Sequence, residues 1–254
     1  MIFNKSIVIS LKSEKKRRQR VISQKINHQF FDAVDGRVMT DEEFKSNLSK
    51  DGYANHLQYG EEAGFPINKP GLASCLTWKS IVEKITEPTL IMEDDIVVCN
   101  NFYKKLNYTL RFVPKNWDII YVSCLSYLEW GIGKKINEHV IYITGEGRSS
   151  LVFGTGALLI NSKCKNRFLS MYPSDFMIDC EIYSKLIKTK KIKSFILTYY
   201  GKRLAINDNL GGSQVCAPER TNLDGDWGSF KNWSKWTKDR VFINDKPYLW
   251  RYKK

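Results

Sequence analysis

The chain has 254 residues, of which 43% are hydrophobic and 13% are aromatic, so it can bury a sizeable core and is not an intrinsically disordered chain. Its formal net charge of +13 predicts an anionic partner, such as nucleic acid, a membrane surface or a phosphorylated small molecule. Nucleic acid is the weakest of these, because the Lys and Arg residues are spread along the chain and form no recognisable nucleic-acid-binding module.

The cysteines and histidines argue against a zinc site, because they are widely spaced and include no C-x-x-C pair. They are Cys75, Cys99, Cys124, Cys164, Cys180 and Cys216, with His28, His56 and His139. Most of these cysteines lie in or beside apolar runs, where a reduced thiol packs as a small hydrophobe. The first residues show no secretory signal, and no apolar stretch is long enough to span a bilayer. We therefore expect a cytoplasmic protein, with peripheral contact to the inner face of a membrane left open.

The first predicted elements are a strand, a basic helix and a second strand. Residues 6–11 are apolar and rich in β-branched side chains, and residues 12–20 are dense in positive charge. Residues 30–36 predict the second strand, which ends in an Asp-Gly turn. Arg17 and Arg18 near the start of the helix could reach a diphosphate. A solvated basic helix face explains the two arginines equally well.

Residues 37–70 are weakly patterned and are punctuated by Gly and Pro. Apart from a helix start at residues 41–44, they predict a mostly irregular excursion over the site. Residues 71–84 recover the spacing of an amphipathic helix, and Pro88 closes the helix before the next strand. A strand that follows a helix in this way is typical of a doubly wound α/β fold.

The most informative stretch is residues 89–98, where two apolar triplets flank Glu93, Asp94 and Asp95. The triplets predict a buried strand, and ionised carboxylates are buried only when they are paired or bind a cation. Ligands of open α/β sheets bind outside the carboxyl ends of the strands, so this cluster is placed to hold a divalent ion against a phosphate. A solvated turn between two strands is the alternative, although Gly, Asn or Ser usually dilutes such turns.

The rest of the chain predicts more strands and helices, and its consecutive short strands indicate an antiparallel section. The predicted strands are residues 117–122, 142–144, 150–153, 154–160 and 192–200, and the predicted helices are residues 102–112, 163–171 and 180–188. From residue 201 onward Gly, Asn and Asp are frequent, and the last thirty or so residues are rich in Trp and Lys. We interpret those last residues as a loosely structured tail or a lid.

Six short motifs follow one another in a specific order. They are I-V-I-S-L at residues 7–11 with Arg17 and Arg18, F-D-A-V-D-G at residues 31–36, L-I-M-E-D-D at residues 90–95, W-D-I-I-Y at residues 117–121, G-T-G-A-L-L-I at residues 154–160, and I-N-D-N at residues 206–209 with Ser213. Together they resemble glycosyltransferase family 25, the lipooligosaccharide glycosyltransferases whose relatives include the collagen galactosyltransferases. Each motif alone is weak, whereas six in order are specific.

One segment departs from the family pattern. The family usually carries a Ser-His pair a few residues before the Trp of the helix that precedes the acids. Ala73 and Ser74 stand at that place before Trp78. Any substrate contact that the family histidine makes is therefore lost or shifted to another residue. This departure bears on substrate identity more than on the fold.

The resemblance implies a GT-A-type α/β domain over residues 1–215, in which a mixed, mostly parallel sheet is flanked by helices. Residues 216–254 are then a C-terminal tail or an acceptor-side lid. The implied reaction moves a hexose, galactose or glucose, from a UDP-sugar to a saccharide or hydroxylated acceptor such as lipooligosaccharide, with inversion. Mn²⁺ or Mg²⁺ held by Asp94 and Asp95 would offset the charge of the leaving UDP, and hard oxygen ligands suit these ions.

The resemblance also implies the site residues. The donor and its metal ion are expected at Ile9, Ser10, Leu11, Arg17, Arg18, Asp35, Glu93, Asp94 and Asp95. Glu93 would bind a sugar hydroxyl or orient the loop. Inversion requires a base for the acceptor hydroxyl, and we predict Asp179 as first choice, since M-I-D at residues 177–179 resembles a family segment, and Asp175 as second. Either acid could instead cap a helix.

Two other function classes stay open. A catalytically inactive carbohydrate- or nucleotide-sugar-binding relative would keep the fold, and metal-dependent release of UDP would argue against it. A metal-dependent phosphodiesterase or nuclease would also use acids at a strand end, but would normally need more histidines or a larger carboxylate set. Nucleic-acid cleavage assays distinguish the second class.

Overall fold

An eight-stranded sheet forms the centre of the fold. A computed structural model describes residues 3, 5–59, 68–123, 133–145, 154–201 and 203–207. The strands are β1 (Lys5–Ser10), β2 (Gln29–Asp32), β3 (Thr89–Glu93), β4 (Ile96–Val98), β5 (Ile119–Ser123), β6 (Gly133–Lys135), β7 (Val140–Ile143), β8 (Ala157–Ile160), β9 (Ser194–Leu197) and β10 (Ala205–Asn207). Their order in the large sheet is β2-β1-β3-β8-β5-β9-β7-β6, while β4 and β10 form a separate antiparallel pair.

The large sheet is mixed and mostly parallel, as predicted. β1, β2, β3, β5, β6 and β9 run in one direction, and β7 and β8 run in the other. The predicted antiparallel section is confirmed in part: β7 and β8 each run antiparallel to their neighbours but do not pair with each other, and the predicted strand at residues 150–153 lies outside the described residues. The carboxyl ends of β1, β3, β5 and β9 meet at one edge of the sheet, marked by Ser10, Glu93, Ser123 and Leu197. We call it the upper edge.

Helices cover both faces of the sheet. They are α1 (Lys15–Ser23), α2 (Asp41–Asn47), α3 (Lys50–Tyr59), α4 (Lys69–Val82), α5 (Phe102–Leu110), α6 (Lys165–Leu169) and α7 (Ile178–Glu181), which continues as a π-helical turn over Ile182–Ile187. α2, α4, α6 and α7 contribute to one hydrophobic core, and α1 and α5 contribute to the other. None of the helices in the described ranges is long and apolar enough to cross a membrane.

The two cores explain the uninterrupted apolar runs of the central strands. Successive side chains of a strand point to opposite faces of a sheet. Leu90 and Met92 accordingly pack on the α5 side, whereas Ile91 packs on the α4 side. All three are fully buried. A strand that is buried on both faces reads as continuously apolar rather than alternating.

The predicted irregular excursion over residues 37–70 is wrong for most of its described part, which is helical in α2 and α3. The Thr40 side chain accepts a hydrogen bond from the backbone N–H of Glu43, and the Glu43 carboxylate accepts one from Thr40, which is the capping box that starts α2. Gly52 does not end a helix. A Cβ there would lie 2.8 Å from the Ser174 carbonyl oxygen, so the glycine permits close packing instead.

The end of the described chain also differs from expectation. The frequent Gly, Asn and Asp after residue 201 give no strand signal, yet residues 205–207 form β10, which pairs with β4. The predicted tail of residues 216–254, together with Cys124, Cys216 and Ser213, lies outside the described residues. The described cysteines, Cys75, Cys99, Cys164 and Cys180, are free thiols.

A buried ion pair fixes the segment before α7. Glu181 is fully buried, and its Oε1 accepts hydrogen bonds from the backbone N–H groups of Asp175 and of Phe176, the latter at 2.7 Å. The Lys185 Nζ lies 3.0 Å from the Glu181 Oε2 and 2.7 Å from the Asp175 Oδ2. One carboxylate thus neutralises a lysine and satisfies two backbone donors.

We expect Glu181→Ala to lower the free energy of unfolding by about 2–4 kcal/mol, because it leaves two backbone donors without their acceptor and removes one of the two carboxylates that pair with Lys185. Urea denaturation of the variant and wild type measures the change. Glu42→Ala, which removes an exposed glutamate of α2, is the matched control. A loss below about 1 kcal/mol in Glu181→Ala would contradict a structural role for this ion pair.

Candidate active site

The acid turn, residues 93–95, lies at the upper edge of the sheet. Glu93 is the last residue of β3, and Asp94 and Asp95 lead directly into β4. The side chain of Asp94 is buried, and the residue is only 8% exposed. The acids thus lie at a strand end, as predicted, and the burial of Asp94 and half-burial of Glu93 and Asp95 do not fit the alternative of a solvated turn.

Asp94 is held by residues of β1 and α1. The Ser10 hydroxyl donates a hydrogen bond to Asp94 Oδ2 at 2.7 Å, and the Arg17 Nη1 donates to Oδ1 at 3.0 Å. The Arg20 Nη2 donates to the backbone carbonyl of Asp94 at 3.2 Å. Both carboxylate oxygens therefore have a partner, and the arginine neutralises the charge of the buried acid.

The two predicted arginines point to different places. Arg17 reaches the acid turn, whereas the Arg18 Nη2 donates to the carbonyl of Ser10 at 2.9 Å and to the carboxylate of Asp32. The hydrogen bond from Arg18 lowers the pKa of Asp32. Arg18 therefore ties the end of β1 to the end of β2.

Asp95 is bound from the other side of the turn. The Asn207 amide of β10 donates to Asp95 Oδ1 at 3.1 Å, and the Ser123 hydroxyl of β5 donates to Asn207 Oδ1 at 3.1 Å. Burial and the neighbouring Asp94 charge raise the pKa of Asp95 to about 6, against the opposing effects of Arg17 and Arg20. A Cβ at Gly156 would lie 2.1 Å from Asn207 Oδ1, so glycine makes room for this amide.

Glu93 has the most strongly perturbed carboxyl of the turn. The Thr155 hydroxyl donates to Glu93 Oε1 at 2.6 Å. Burial, followed by the charge of Asp95 and then the charge of Asp179, raises the pKa of Glu93 to about 8, against the opposing effect of the hydrogen bond from Thr155. At neutral pH this side chain is therefore mostly a neutral acid that can donate a hydrogen bond.

The two candidate bases lie in different surroundings. Asp179 accepts hydrogen bonds from the backbone N–H of Gly154 at 3.1 Å and of Cys180 at 2.9 Å, and its charge is felt by Glu93. Asp175 instead accepts from the Ser49 hydroxyl and pairs with Lys185. The residue at the N-cap of α7 is Met177, so neither acid occupies that capping position. The structure brings Asp179, and not Asp175, toward the acid turn.

One cavity of about 160 Å³ opens beside the acid turn, and we call it the acid cavity. Every predicted donor-site residue except Arg18 lines it: Ile9, Ser10, Leu11, Arg17, Asp35, Glu93, Asp94 and Asp95. Asp35 stands in its wall with its carboxylate fixed by Arg37, whose Nη2 donates to Oδ2 at 2.7 Å. This hydrogen bond lowers the pKa of Asp35.

The sequence predicts a role in substrate choice for Ser74, but it does not predict that Thr77, Trp78 and Asn207 belong to the site. Ser74, Thr77 and Trp78 of α4 form part of the cavity wall, and the Thr77 hydroxyl accepts a hydrogen bond from the backbone N–H of Val34 at 2.9 Å. Their helical spacing of three and four residues places them on one face of α4, which was the available signal. Asn207 was read only as part of a motif, and its contact with Asp95 joins residues 112 apart in sequence.

The acid turn offers carboxylates for a divalent ion. Within the described ranges, no group of three or more His, Cys, Asp or Glu side chains is arranged to hold a metal. Mg²⁺ is often bound by only one or two carboxylates together with substrate phosphates, so a smaller set can suffice. Burial first, and neighbouring like charges second, raise the pKa values of Glu93 and Asp95, and a bound cation would favour their charged forms. The hard oxygen donors of this turn fit such an ion.

Comparison with known proteins places the chain among glycosyltransferases. Residues 3–132 match the model of glycosyltransferase family 25 (LPS biosynthesis protein). Procollagen galactosyltransferase 2 of Mus musculus and of Homo sapiens are each 29% identical to it over 137 residues, which are 48% of this chain and 21% of each relative. Inactive glycosyltransferase 25 family member 3 of Mus musculus is 30% identical over 138 residues, which are 48% of this chain and 22% of that relative.

The chain thus spans only about a fifth of the length of the curated relatives that it matches. Among solved structures, a crystal structure of a glycosyltransferase involved in the glycosylation of the major capsid of PBCV-1 is similar with a TM-score of 0.42 and 9% sequence identity. That match covers 86% of this chain and 97% of the other.

Proposed function

Because this chain belongs to glycosyltransferase family 25, we propose that it transfers a hexose, galactose or glucose, from a UDP-sugar to a saccharide or hydroxylated acceptor such as lipooligosaccharide, with inversion. The proposed domain is of the GT-A type. The observation that carries the proposal is the buried acid turn at the carboxyl end of β3, with Arg17 beside it in the wall of one cavity. Two similar relatives named galactosyltransferases support galactose as the first sugar to test.

In this proposal the acid cavity binds the donor. The uridine lies against Ile9 and Leu11, and Asp35 accepts hydrogen bonds from the ribose hydroxyls. Arg37 supports that role, because it fixes the carboxylate at the cavity wall through Nε and Nη2. The diphosphate lies toward Arg17, whose guanidinium can form charge-assisted hydrogen bonds to phosphate oxygens.

The proposed metal ligands are Asp94 and Asp95, with Asp95 the stronger of the two. Ser10 and Arg17 already engage both oxygens of Asp94, whereas the hydrogen bond from Asn207 engages Oδ1 of Asp95. A bound Mn²⁺ or Mg²⁺ would act as a Lewis acid that offsets the charge of the departing UDP. Glu93, which lies in the wall of the acid cavity, binds a hydroxyl group of the donor sugar.

The proposed base is Asp179, which takes the proton of the acceptor hydroxyl as that oxygen attacks the sugar carbon. The backbone N–H groups of Gly154 and Cys180 hold its carboxylate at both oxygens. Gly154 has a φ of +83°, a conformation that favours glycine. The glycine therefore lets the loop point this backbone N–H group at Asp179. Asp175 remains the second choice, but its contacts with Ser49 and Lys185 already serve the fold.

A second candidate is a nucleotide-sugar-binding relative without turnover. Two observations favour it: Ser74, which departs from the family pattern, lies in the wall of the acid cavity, and one similar relative is named inactive. Such a protein would bind UDP and the donor sugar in the same cavity. It would not release UDP from the donor.

A donor screen tests the proposed function. UDP-galactose, UDP-glucose and UDP-N-acetylglucosamine are incubated with the protein and Mn²⁺ or Mg²⁺, and released UDP is measured with and without added oligosaccharide. We expect release from a UDP-hexose that stops in excess EDTA and returns when the metal is restored. Donor binding without release would support the inactive relative, and release that persists in EDTA would remove the metal from the mechanism.

A further inference from the structure

A second cavity, of about 380 Å³, opens at the opposite end of the upper edge. It lies where β6 and β7 meet the end of β9, and its walls include Lys135, Asn137, Glu138, Thr198 and Tyr200. None of these residues belongs to the acid cavity. We call it the Tyr200 cavity, after the aromatic residue in its wall.

Tyr200 is held rigidly although it is 49% exposed. Its hydroxyl lies 2.9 Å from the Tyr108 hydroxyl, and its ring centroid lies 4.5 Å from that of His139 and 4.9 Å from that of Tyr199. Its backbone N–H donates to the His139 Nδ1 at 3.2 Å. These contacts and the stacking of Tyr108 on Tyr200, with ring centroids 6.2 Å apart, hold the ring in place, while about half of the residue stays exposed to solvent.

The backbone of Tyr200 is also unusual, because its φ is +51°. This left-handed region is uncommon for residues other than glycine, and for a bulky residue it is an outlier. Such conformations persist only where the surrounding structure imposes them, and they cluster at binding sites. The neighbouring Gly201 adopts φ of +76°, so the turn places an aromatic ring at a position where glycine would be easier to accommodate.

The groups around Tyr200 define the chemistry of a ligand. Lys135, Asn137, Glu138 and Thr198 line the cavity beside the aromatic ring. The Asn137 amide and the Thr198 hydroxyl already bind backbone groups, so Lys135 offers the donors and Glu138 the acceptor for a ligand. Lys135 and Glu138 carry opposite charges, and the cavity therefore does not select an anion. A ligand with an apolar C–H face and a rim of hydroxyl groups satisfies both features. Neutral sugars have this combination.

We propose that the Tyr200 cavity binds a neutral oligosaccharide, with one sugar ring lying on the face of Tyr200. The strand order places this cavity on the same edge as the acid turn: β9 is three strands from β3, and β7 is five strands from β1. At about 4.8 Å per strand, the separation is roughly 15–25 Å. An oligosaccharide, and not a single sugar, spans that distance. If the chain is the transferase proposed above, the acceptor glycan contacts both cavities.

A lipid surface is the competing partner for exposed aromatic residues near basic ones. Two nearby cations are directed at inner rings: the Lys105 Nζ lies 5.3 Å from the Tyr199 ring and the Arg111 guanidinium 5.9 Å from the Tyr108 ring. A third, Lys135, shares the cavity wall with Glu138. Glu138, whose side chain is 59% exposed, would face an anionic headgroup with like charge. The observations therefore favour the neutral saccharide.

The test measures binding without donor or metal, so it does not depend on turnover. Two neutral tetrasaccharides, lacto-N-neotetraose and cellotetraose, are titrated into the protein and followed by saturation-transfer NMR and calorimetry. We expect at least one to bind, with an affinity that falls about tenfold in Tyr200→Gly, because an aromatic anchor is lost. Tyr200→Phe keeps the ring and should bind within about threefold of wild type.

The glycine variant suits this test, because glycine adopts the left-handed backbone of residue 200 without strain and keeps the N–H that His139 accepts. Tyr200→Asn provides a second variant that tolerates the same conformation. Asp51→Asn, an exposed position of α3 outside both cavities, should leave tetrasaccharide binding unchanged. If neither tetrasaccharide binds, or if Tyr200→Gly binds them as tightly as wild type, the proposal is overturned. A protein that sediments with phosphatidylglycerol vesicles in a Tyr200-dependent way, and that binds neither tetrasaccharide, would have a lipid-binding surface here. That result overturns the saccharide proposal.

Discussion

Asp95→Asn is expected to lower sugar transfer by at least about 10³-fold, because it removes the carboxylate best placed to hold the metal ion that stabilises the leaving UDP. The same change should leave the folded protein as stable as wild type or more stable. The asparagine Oδ1 can still accept the hydrogen bond from Asn207. Steady-state transfer kinetics and thermal melting without metal measure the two effects.

The stability difference should depend on pH. The pKa of Asp95 is raised from 3.8 to about 6 in the folded protein, so folding disfavours the charged carboxylate. Its stabilising contribution is present below the unfolded pKa and is lost as the pH rises through about 6. Asparagine does not ionise, so Asp95→Asn lacks this loss. The melting temperature of the variant minus that of wild type should therefore increase between pH 4 and pH 7.

The matched control is Asp51→Asn, which neutralises an exposed aspartate of α3. It should change neither transfer nor the pH dependence of stability. A solvated acid turn predicts the same small effects for Asp95→Asn as for this control. Nearly full transfer in Asp95→Asn would therefore remove the metal site from the mechanism and leave Arg17 as the main group that stabilises the diphosphate.

Asp179→Asn is expected to lower the turnover number by about 10²-fold or more, the range of a lost general base. Affinity for UDP should change little, since Asp179 does not line the acid cavity. The amide must turn its NH₂ group toward the backbone N–H of Gly154 or of Cys180, so we also expect a stability loss of about 1–3 kcal/mol. Single-turnover kinetics, UDP titration and urea denaturation separate these effects.

Asp175→Asn is the control that separates catalysis from stability. It weakens the ion pair with Lys185 and the contact with Ser49, so it should destabilise the protein while turnover of the folded enzyme stays near that of wild type. Similar turnover in Asp179→Asn and wild type, with a loss of stability in both variants, would show that each acid serves the fold. The base would then have to be sought elsewhere.

The strands that build the site could be predicted because their signal is local. β1, β3 and β5 are runs of β-branched and apolar residues, and three acids after such a run already place a charged cluster at a strand end. The two helices after residue 40 were harder to predict. Gly52 reads as a helix breaker, and its packing against Ser174 is visible only in the folded chain.

The partners of the acids could not be predicted, because they lie far away in sequence. Ser10 is 84 residues from Asp94, and Arg17 is 77 residues from it. The sequence marks Arg17 and Arg18 as equals, yet a helical step of about 100° separates neighbouring side chains. Only the packing of α1 decides that Arg17 reaches the turn and that Arg18 binds Asp32. The surroundings of Asp175 and Asp179 differ for the same reason.

The pairing of β10 with β4 bears on how the protein matures on the ribosome. A nascent chain that has emerged only as far as residue 200 already contains Glu93, Asp94 and Asp95, but β4 still lacks the strand that pairs with it. Asp95 also lacks the amide of Asn207 at that stage. Synthesis of residues 205–207 therefore completes the acid turn, so partly made chains hold an unassembled site while most of the large sheet is already available to fold.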